Sequence, residues 1–545
     1  MYDGIKNISI PQWVENETVE AGGLDLLGLR NVAQSIGNYC LNGITTISPQ
    51  IRYLAIRSWI IQMYAECQLP DDYSTFLKFG SQLEAAVAIG ILLNKPSITG
   101  VIGSTKALEI IAKDEKKIIL EKLVKTQIAI NNYTGPSNNL GISYARKSGI
   151  TGLTNERGKP LANIIMTKVI DTNVVKKILS EKKVESFNRD DLIELGQILS
   201  IDEIPDDEKE ILVNIVIPSE PDPSGWDKDI RRIATYVHLL QLTNDKQAIP
   251  TLDEFFEEII HPKDGFDETL SEIYDGWLCF LIRDSIAVAH ETSLQFVKNE
   301  LEIDPKETFH RNSIIQRVVN DSSGMENELK TLRLINDGER FEDLRFLDIF
   351  GQLEKRLIKQ SINGSFQRWD DNKLNELNLI KALESNNPGT VSLVPIVWLL
   401  SYFRLNGEID TDNNVIGMLS RGGWGRLGLK EVIFPTIKKW KADNPHYHQI
   451  VGDLIGRTVD QHVRISWSRM ATDITKDVSI LKVDGDSWQF RKEFYSGRTA
   501  ARLNEAIGWL KQLKLIGENG ITSDGKIMLN RGYKSLSNYS PTLQS

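Results

Sequence analysis

Cysteine is nearly absent. The three in 545 residues, Cys40, Cys67 and Cys279, are far apart, odd in number and set in apolar surroundings. That pattern speaks against a disulfide framework or a zinc site and fits a reducing, cytoplasmic setting. Residues 1–11 lack a basic stretch followed by an apolar run, so no signal peptide is expected. The longest apolar run, 83–93, contains Glu84 and falls short of the ~18 residues of a membrane span, so no membrane partner is expected. No G-x-x-x-x-G-K-[ST] motif occurs. Gly100, Gly103 and Lys106 form a glycine-bearing turn before a helix, and a helix cap explains it better than an ATPase phosphate loop. His446 and His448 form an HxH pair near Asp443 and Asp453, but zinc chemistry needs three or four ligands of fixed geometry, and a surface loop accounts for the pair. A restriction-type nuclease needs an acidic residue followed by a compact Asp/Glu-x-Lys. Asp484, Asp486 and Lys492 only approach it. No cofactor is expected, and no internal repeat or low-complexity tract is visible.

What remains is an ordinary globular composition, 41% hydrophobic and 25% charged, in a chain too long for one core of about 250–300 residues. The net charge of −10 hides an asymmetry. Residues 1–170 carry 17 basic against 14 acidic side chains, 171–420 carry 27 against 48, and 421–545 carry 20 against 12. These blocks are taken as three domains: a helical N-terminal domain ending in a winged-helix-like unit, an acidic helical middle, and a basic C-terminal domain with a second such unit. The acidic block reads as a solvated helical surface or as a face that docks a basic partner. The basic end is the part suited to a polyanion.

Periodicity predicts a mainly α-helical protein. Helices are expected over 50–67, capped by Thr46 or Ser48 with Pro49 in the first turn, and over 81–93 and 104–130. A turn at Tyr133–Pro136, short strands at 140–142 and 149–151, and a Thr154-capped bend with Gly158 follow the pattern that ends many winged helices. The stretch 218–225, with three prolines, is a linker. Further helices are expected over 227–242, from a Thr251/Glu254 capping box, over 273–297, over 391–403 and over 449–470. Alternation around Asp484-Gly485 predicts a β-hairpin over 479–490. Helix 499–513 followed by strand pieces through 521–529 completes the second winged-helix-like unit.

Three constellations carry chemistry. Arg283, Asp284, His290 and Glu291 lie within an apolar helix and read as a structural ion-pair network before a site. The glycine-rich stretch around Trp424, with Arg421 and Arg426, is either a phosphate cradle or a tight loop packing Trp424 between helices. Arg498, Arg502, Lys511 and Lys514 lie on or at the ends of one helix, with Lys526 and Arg531 in or after the wing. In a winged helix one helix enters the major groove while the wing touches backbone, so these residues, together with Arg421 and Arg426, are the candidate contacts to DNA or RNA.

The segments 24–61 (containing Gly43-Ile44-Thr45-Thr46 and Ser48-Pro49…Arg52-Tyr53), 133–162 and 283–291 resemble bacterial proteins encoded near phage-defence and restriction loci that share a G-[IT]-[ST]-T-x-[SQ]-P/T-x-x-R-Y segment. The likeness covers about a quarter of the chain. It implies a defence context and a helical scaffold bearing winged helices, and it brings no catalytic residues and no established role for Arg52 or Tyr53. The expectation is a non-catalytic sensor or adaptor subunit of an anti-phage defence system, binding nucleic acid and recruiting a nuclease or ATPase. The alternatives are a divergent metal-dependent nuclease and a structural protein-docking scaffold.

Overall fold

The computed structural model describes residues 25–121, 123, 129–221, 226–262, 270–357, 366–369, 371–472 and 477–538. The expectations for residues 1–24, for 222–225 of the proline-rich linker, and for 122 and 124–128 of the third helix lie outside the described residues. The chain is mainly helical, 63% helix and 6% strand. It groups into two units, each made of two stretches: Met1–Ala33 with Cys279–Thr499, and Gln34–Leu278 with Ala500–Ser545. This grouping cuts across the consecutive segments 1–170, 171–420 and 421–545, because charge blocks report surfaces whereas units report packing.

The unit of residues 34–278 and 500–545 is organised round helix Tyr73–Asn94. The Asp72 carboxylate starts this helix by accepting from the Thr75 amide at 2.8 Å. It is the one helix among the described residues long and apolar enough to cross a membrane, and 78% of its apolar window is buried inside the fold. Its Glu84 accepts from the Ala129 and Ile130 amides at 2.7 and 3.0 Å, as a core carboxylate must be satisfied. Gly90 meets Gly196 of helix Arg189–Ile198 backbone to backbone: a Cβ on Gly196 would stand 2.0 Å from the Gly90 carbonyl carbon.

Helix Tyr53–Glu66 begins three residues later than expected. Neither Thr46 nor Ser48 caps it, because the Ser48 hydroxyl donates back to the Thr45 carbonyl at 3.0 Å. The expected helix over 104–130 stops as helix Ser104–Ala112. Lys117–Ile119 is instead a strand paired antiparallel with Ser186–Asn188. Tyr133–Pro136 leads into a short helix, Thr134–Asn139, rather than a turn. The following hairpin pairs Ser143–Ala145 with Thr151–Leu153, shifted toward the C-terminus from the expected strands. Thr154 does cap the bend, its hydroxyl accepting from the Gly158 amide at 3.0 Å. The Thr251/Glu254 capping box is present at the start of helix Leu252–Ile260.

At the C-terminal end, helix Leu503–Gln512 is followed by two two-residue strands, Ile516–Gly517 and Gly520–Ile521, and then by helix Ser523–Ser537. The strand expected through 521–529 is thus a helix. The Thr522 hydroxyl accepts from the Gly525 amide at 3.0 Å and starts it, and Gly525 packs so closely on Leu515 that a Cβ would lie 2.0 Å from the Leu515 carbonyl oxygen. Lys526 and Arg531 consequently ride on a helix and not on a wing.

In the unit of residues 1–33 and 279–499, the centre is the helix that runs to Glu302 from Ser271, where every residue from 279 to 298 is buried. Helices Val394–Arg404, Phe434–Asp443 and Tyr447–Thr472 belong to the same unit. The expected hairpin forms as Leu481–Asp484 against Ser487–Phe490, with Gly485 at φ +56° in the turn, and Phe309–His310 adds a third antiparallel strand.

Candidate nucleic-acid interface

The turn at residues 421–428 is held by side chains that reach its carbonyl oxygens. Gly422 at φ +84° and Gly423 at φ +49° let the chain reverse, which a side chain at either position would strain. Beneath it, the buried Arg283 guanidinium donates to the carbonyls of Arg426 at 2.7 Å, Leu427 at 2.8 Å and, at longer range, Leu419 at 3.4 Å. Gln461, on helix Tyr447–Thr472, donates to the Gly425 carbonyl at 2.9 Å. One turn further along that helix, exposed Arg464 donates to the Trp424 and Gly425 carbonyls, each at 3.2 Å. Burial pulls the Arg283 pKa down to about 10, which leaves it charged at neutral pH.

This arrangement changes both readings of the glycine-rich stretch. Trp424 is not packed between helices: it is 68% exposed on top of the turn. Nor do both flanking arginines reach out as a cradle. Arg421 is exposed, whereas Arg426 donates to the Asn31 side-chain oxygen. Arg469, farther along the same helix, donates to the Asp25 carbonyl at 2.6 Å. Among the described residues, Arg283, Arg426, Arg464 and Arg469 thus hydrogen-bond to neutral oxygens and not to carboxylates. Asp25 and Glu431 act on Arg283 through space. Trp467 lies three residues beyond Arg464 on the same helix and is 70% exposed.

The remaining candidates separate into spent and available cations. Arg498 forms a bidentate pair with Glu384, at 2.9 and 2.7 Å, both partly exposed. Arg502 donates to the Asn38 side chain and, at 3.0 Å, to the Ile44 carbonyl, and burial lowers its pKa. Arg531 is held by the Asn214 side chain. Lys511, Lys514 and Lys526 are exposed and form no ion pair among the described residues. On helix Ser523–Ser537 the exposed side chains of Lys526, Asn530 and Lys534 recur every four residues, giving one mildly basic face. Of the eight candidates, Arg421, Arg426 and Arg498 belong to one unit and the other five to the other.

The buried ionisable cluster is structural. Glu291 pairs bidentately with Arg30, and burial pushes its carboxyl up to about 7 although Arg30 pulls it down. Asp284 accepts from the Thr499 amide at 2.8 Å and is raised to about 6, again by burial. His290 is bridged between the Thr458 hydroxyl at 2.7 Å and the Trp398 indole N–H at 3.1 Å, and burial lowers its pKa to about 3. Each group faces another part of the protein, which leaves none for a substrate.

The His446 and His448 rings lie 5.4 Å apart between centres, tilted by 38°, but no group of three or more His, Cys, Asp or Glu able to hold a metal occurs among the described residues. Asp484 and Asp486 sit exposed at the hairpin turn. Lys492 points away, its ammonium 3.5 Å from the Asp477 carbonyl.

The residues that carried the family resemblance are anchors. Arg52 is buried in a bidentate pair with Glu208, both bonds 2.9 Å, and also donates to the Ile198 and Glu203 carbonyls. The Tyr53 hydroxyl accepts from the Ile102 amide at 3.0 Å. Around them, Trp509 donates to the Ser48 carbonyl at 3.0 Å, and Gln512 donates to Pro49 at 2.9 Å while accepting from the Ile51 amide at 2.8 Å. Sequence reasoning missed Arg464 and Trp467, which lie in a helix whose exposed face cannot be told from its buried one without the partner helices. Compared with protein-family models, with curated proteins and with solved structures, the chain matches none.

Proposed function

We propose that the protein is a non-catalytic nucleic-acid-binding subunit, a sensor or adaptor that brings an effector such as a nuclease or ATPase to DNA or RNA. The anti-phage defence setting rests on the resemblance of the 43–53 segment and its companions. One observation carries the binding reading: around the 421–428 turn, Arg426, Arg464 and Arg469 are bonded to neutral oxygens, so their charge is left for an outside anion. A polyphosphate backbone is the anion for which several fixed cations on one face are suited. The free lysines Lys511, Lys514 and Lys526 offer a second contact, on the helix–hairpin–helix that we interpret as a winged-helix-type module. The cytoplasm is the compartment that this reading requires.

The test is binding of the purified protein to labelled DNA at about 50 and about 200 mM salt. If about four phosphates are neutralised, affinity falls about 50-fold for a single strand to about 150-fold for a duplex across that range. Arg421→Glu, at an exposed site without a side-chain partner among the described residues, weakens binding and flattens the salt dependence. Absence of binding at the lower salt concentration refutes the proposal and favours the protein-docking scaffold.

A further inference from the structure

We infer that the face around Trp424 takes single-stranded nucleic acid, with unpaired bases stacked on Trp424 and Trp467 and the phosphates between them on Arg421 and Arg464; this rests on the nucleic-acid reading above and specifies its ligand. The argument begins with two indoles that the fold leaves uncovered. Of the five largest fully buried side chains, all are tryptophans: Trp59, Trp277, Trp398, Trp488 and Trp509. The chain therefore buries this residue type readily, yet Trp424 and Trp467 stand 68% and 70% exposed. Displaying an indole costs hydrophobic burial and is the opposite of what packing selects.

Both indoles are mounted rigidly. Trp424 rises from a turn whose carbonyls are engaged by Arg283, Gln461 and Arg464. Trp467 projects from the regular helix Tyr447–Thr472, three residues from the Arg464 that touches the Trp424 carbonyl. Three residues of helix amount to a rise of about 4.5 Å, so the arginine stands between the two aromatic mounts. Beside Trp467 runs an open groove of about 630 Å³, lined by Val463, Met470 and Leu481 and by charged Lys482, Asp477 and Asp484, among others. Its mixture of apolar walls and polar rim suits a base and its sugar–phosphate.

The charge argument selects the occupant. Two exposed tryptophans alone would equally suit a lipid surface or a protein hot spot. Arg421, Arg426, Arg464 and Arg469, none of them paired with a carboxylate among the described residues, select a polyanion, and among polyanions the aromatic faces select one with unstacked bases. A duplex hides its base faces inside the stack and presents only phosphate and groove edges to such a surface. Aromatic platforms interleaved with cations bind single strands with little sequence preference, since every base has a face to stack.

The experiment measures fluorescence anisotropy with the full chain, using a labelled oligothymidylate of about 20 nucleotides and a mixed-sequence duplex of the same length. The expected result is at least tenfold tighter binding of the single strand. Trp424→Ala and Trp467→Ala each weaken single-strand binding by about five- to a hundredfold without changing the salt slope, since neither side chain carries charge. Trp424→Phe restores most of the loss, which a merely destabilised turn would not show. Denaturation midpoints of the variants, expected to match the parent because both indoles are exposed, exclude misfolding as the cause. Tight, salt-sensitive duplex binding that is indifferent to both tryptophans overturns this inference and leaves the nucleic-acid reading standing. Binding of neither probe overturns both. Capture of the protein by anionic lipid vesicles, without oligonucleotide binding, assigns the face to a membrane surface and overturns both as well.

Discussion

Replacing Arg283 by Met would remove the support under the 421–428 turn while leaving every residue of the turn in place. Arg283 is 0% exposed and donates at 2.7 and 2.8 Å to two carbonyls, with a third at 3.4 Å. Hydrogen bonds from a charged donor contribute about 1.5–3 kcal/mol each, so the two good ones amount to about 3–6 kcal/mol. Against this stands the cost of keeping the cation buried. Its pKa is drawn from 12.5 to about 10, and at about 1.4 kcal/mol per pKa unit the methionine recovers about 3 kcal/mol. The net loss is at most about 3 kcal/mol, concentrated in the turn. Two measurements follow. The urea midpoint falls accordingly, and limited trypsin digestion cuts after Arg421 or Arg426, bonds that the parent turn protects. Single-strand affinity falls together with that protection. A variant with an unchanged midpoint and an uncut turn would refute the claim that Arg283 sets the turn, and with it the rigid mounting of Trp424.

Other expected outcomes follow from packing and charge elsewhere. Glu208→Ala strands the buried Arg52 guanidinium and costs about 3–5 kcal/mol in a denaturant titration; a loss below about 1 kcal/mol would show that the pair is not the anchor its geometry implies. Gly196→Ala forces a Cβ to within 2.0 Å of the Gly90 backbone and destabilises by about 3 kcal/mol, read from the thermal midpoint, whereas a neutral result would mean that the helix crossing slides freely. Arg498→Ala removes only a partly exposed pair with Glu384, so stability shifts by at most about 1 kcal/mol and oligonucleotide affinity stays unchanged. Glu291→Gln tests the buried carboxyl through pH. Its folded pKa of about 7 lies above the ordinary 4.5, so the stability it confers is complete below about 4.5 and is lost as pH rises to about 7. Glutamine has no such dependence, and the deficit of the variant therefore shrinks over that interval; a deficit that grows with pH would mean that the Arg30 attraction outweighs burial.

Elements announced by local chemistry were legible in the sequence. The Thr251/Glu254 capping box, the Asp484-Gly485 hairpin turn and the long apolar helix through Trp277 and Val297 depend on residues a few positions apart, and each forms as expected. Elements decided at a distance were not. Lys117–Ile119 becomes a strand because its partner, Ser186–Asn188, lies about 70 residues away. Thr522 carries a helix-cap signal, but the apolar Ile527, Met528 and Leu529 that follow also suit a strand, and packing on Leu515 decides between them. The site followed the same rule. Arg421 and Arg426 were found from composition, but whether a cation is free depends on remote partners such as Glu384 for Arg498 and Asn214 for Arg531. The charge cluster on the central helix was expected to be a structural ion-pair network; its members are instead each satisfied by a partner elsewhere in the chain, Arg30 for Glu291 and Thr458 for His290 among them, which the local sequence does not show.

The anchoring of the 48–51 segment by Trp509 and Gln512 has a consequence for biosynthesis. Residues 34–278 emerge from the ribosome long before the helix that closes their unit. The intervening 279–499 must be translated first, about 10–45 s at roughly 5–20 residues per second. During that delay the nascent unit waits with the Ser48 and Pro49 carbonyls and the Ile51 amide short of their final partners. Any message truncated or stalled before codon 500 leaves it in that state. Such a chain is a natural client for chaperones and a target for proteases, so the amount of finished protein depends on complete synthesis as well as on stability.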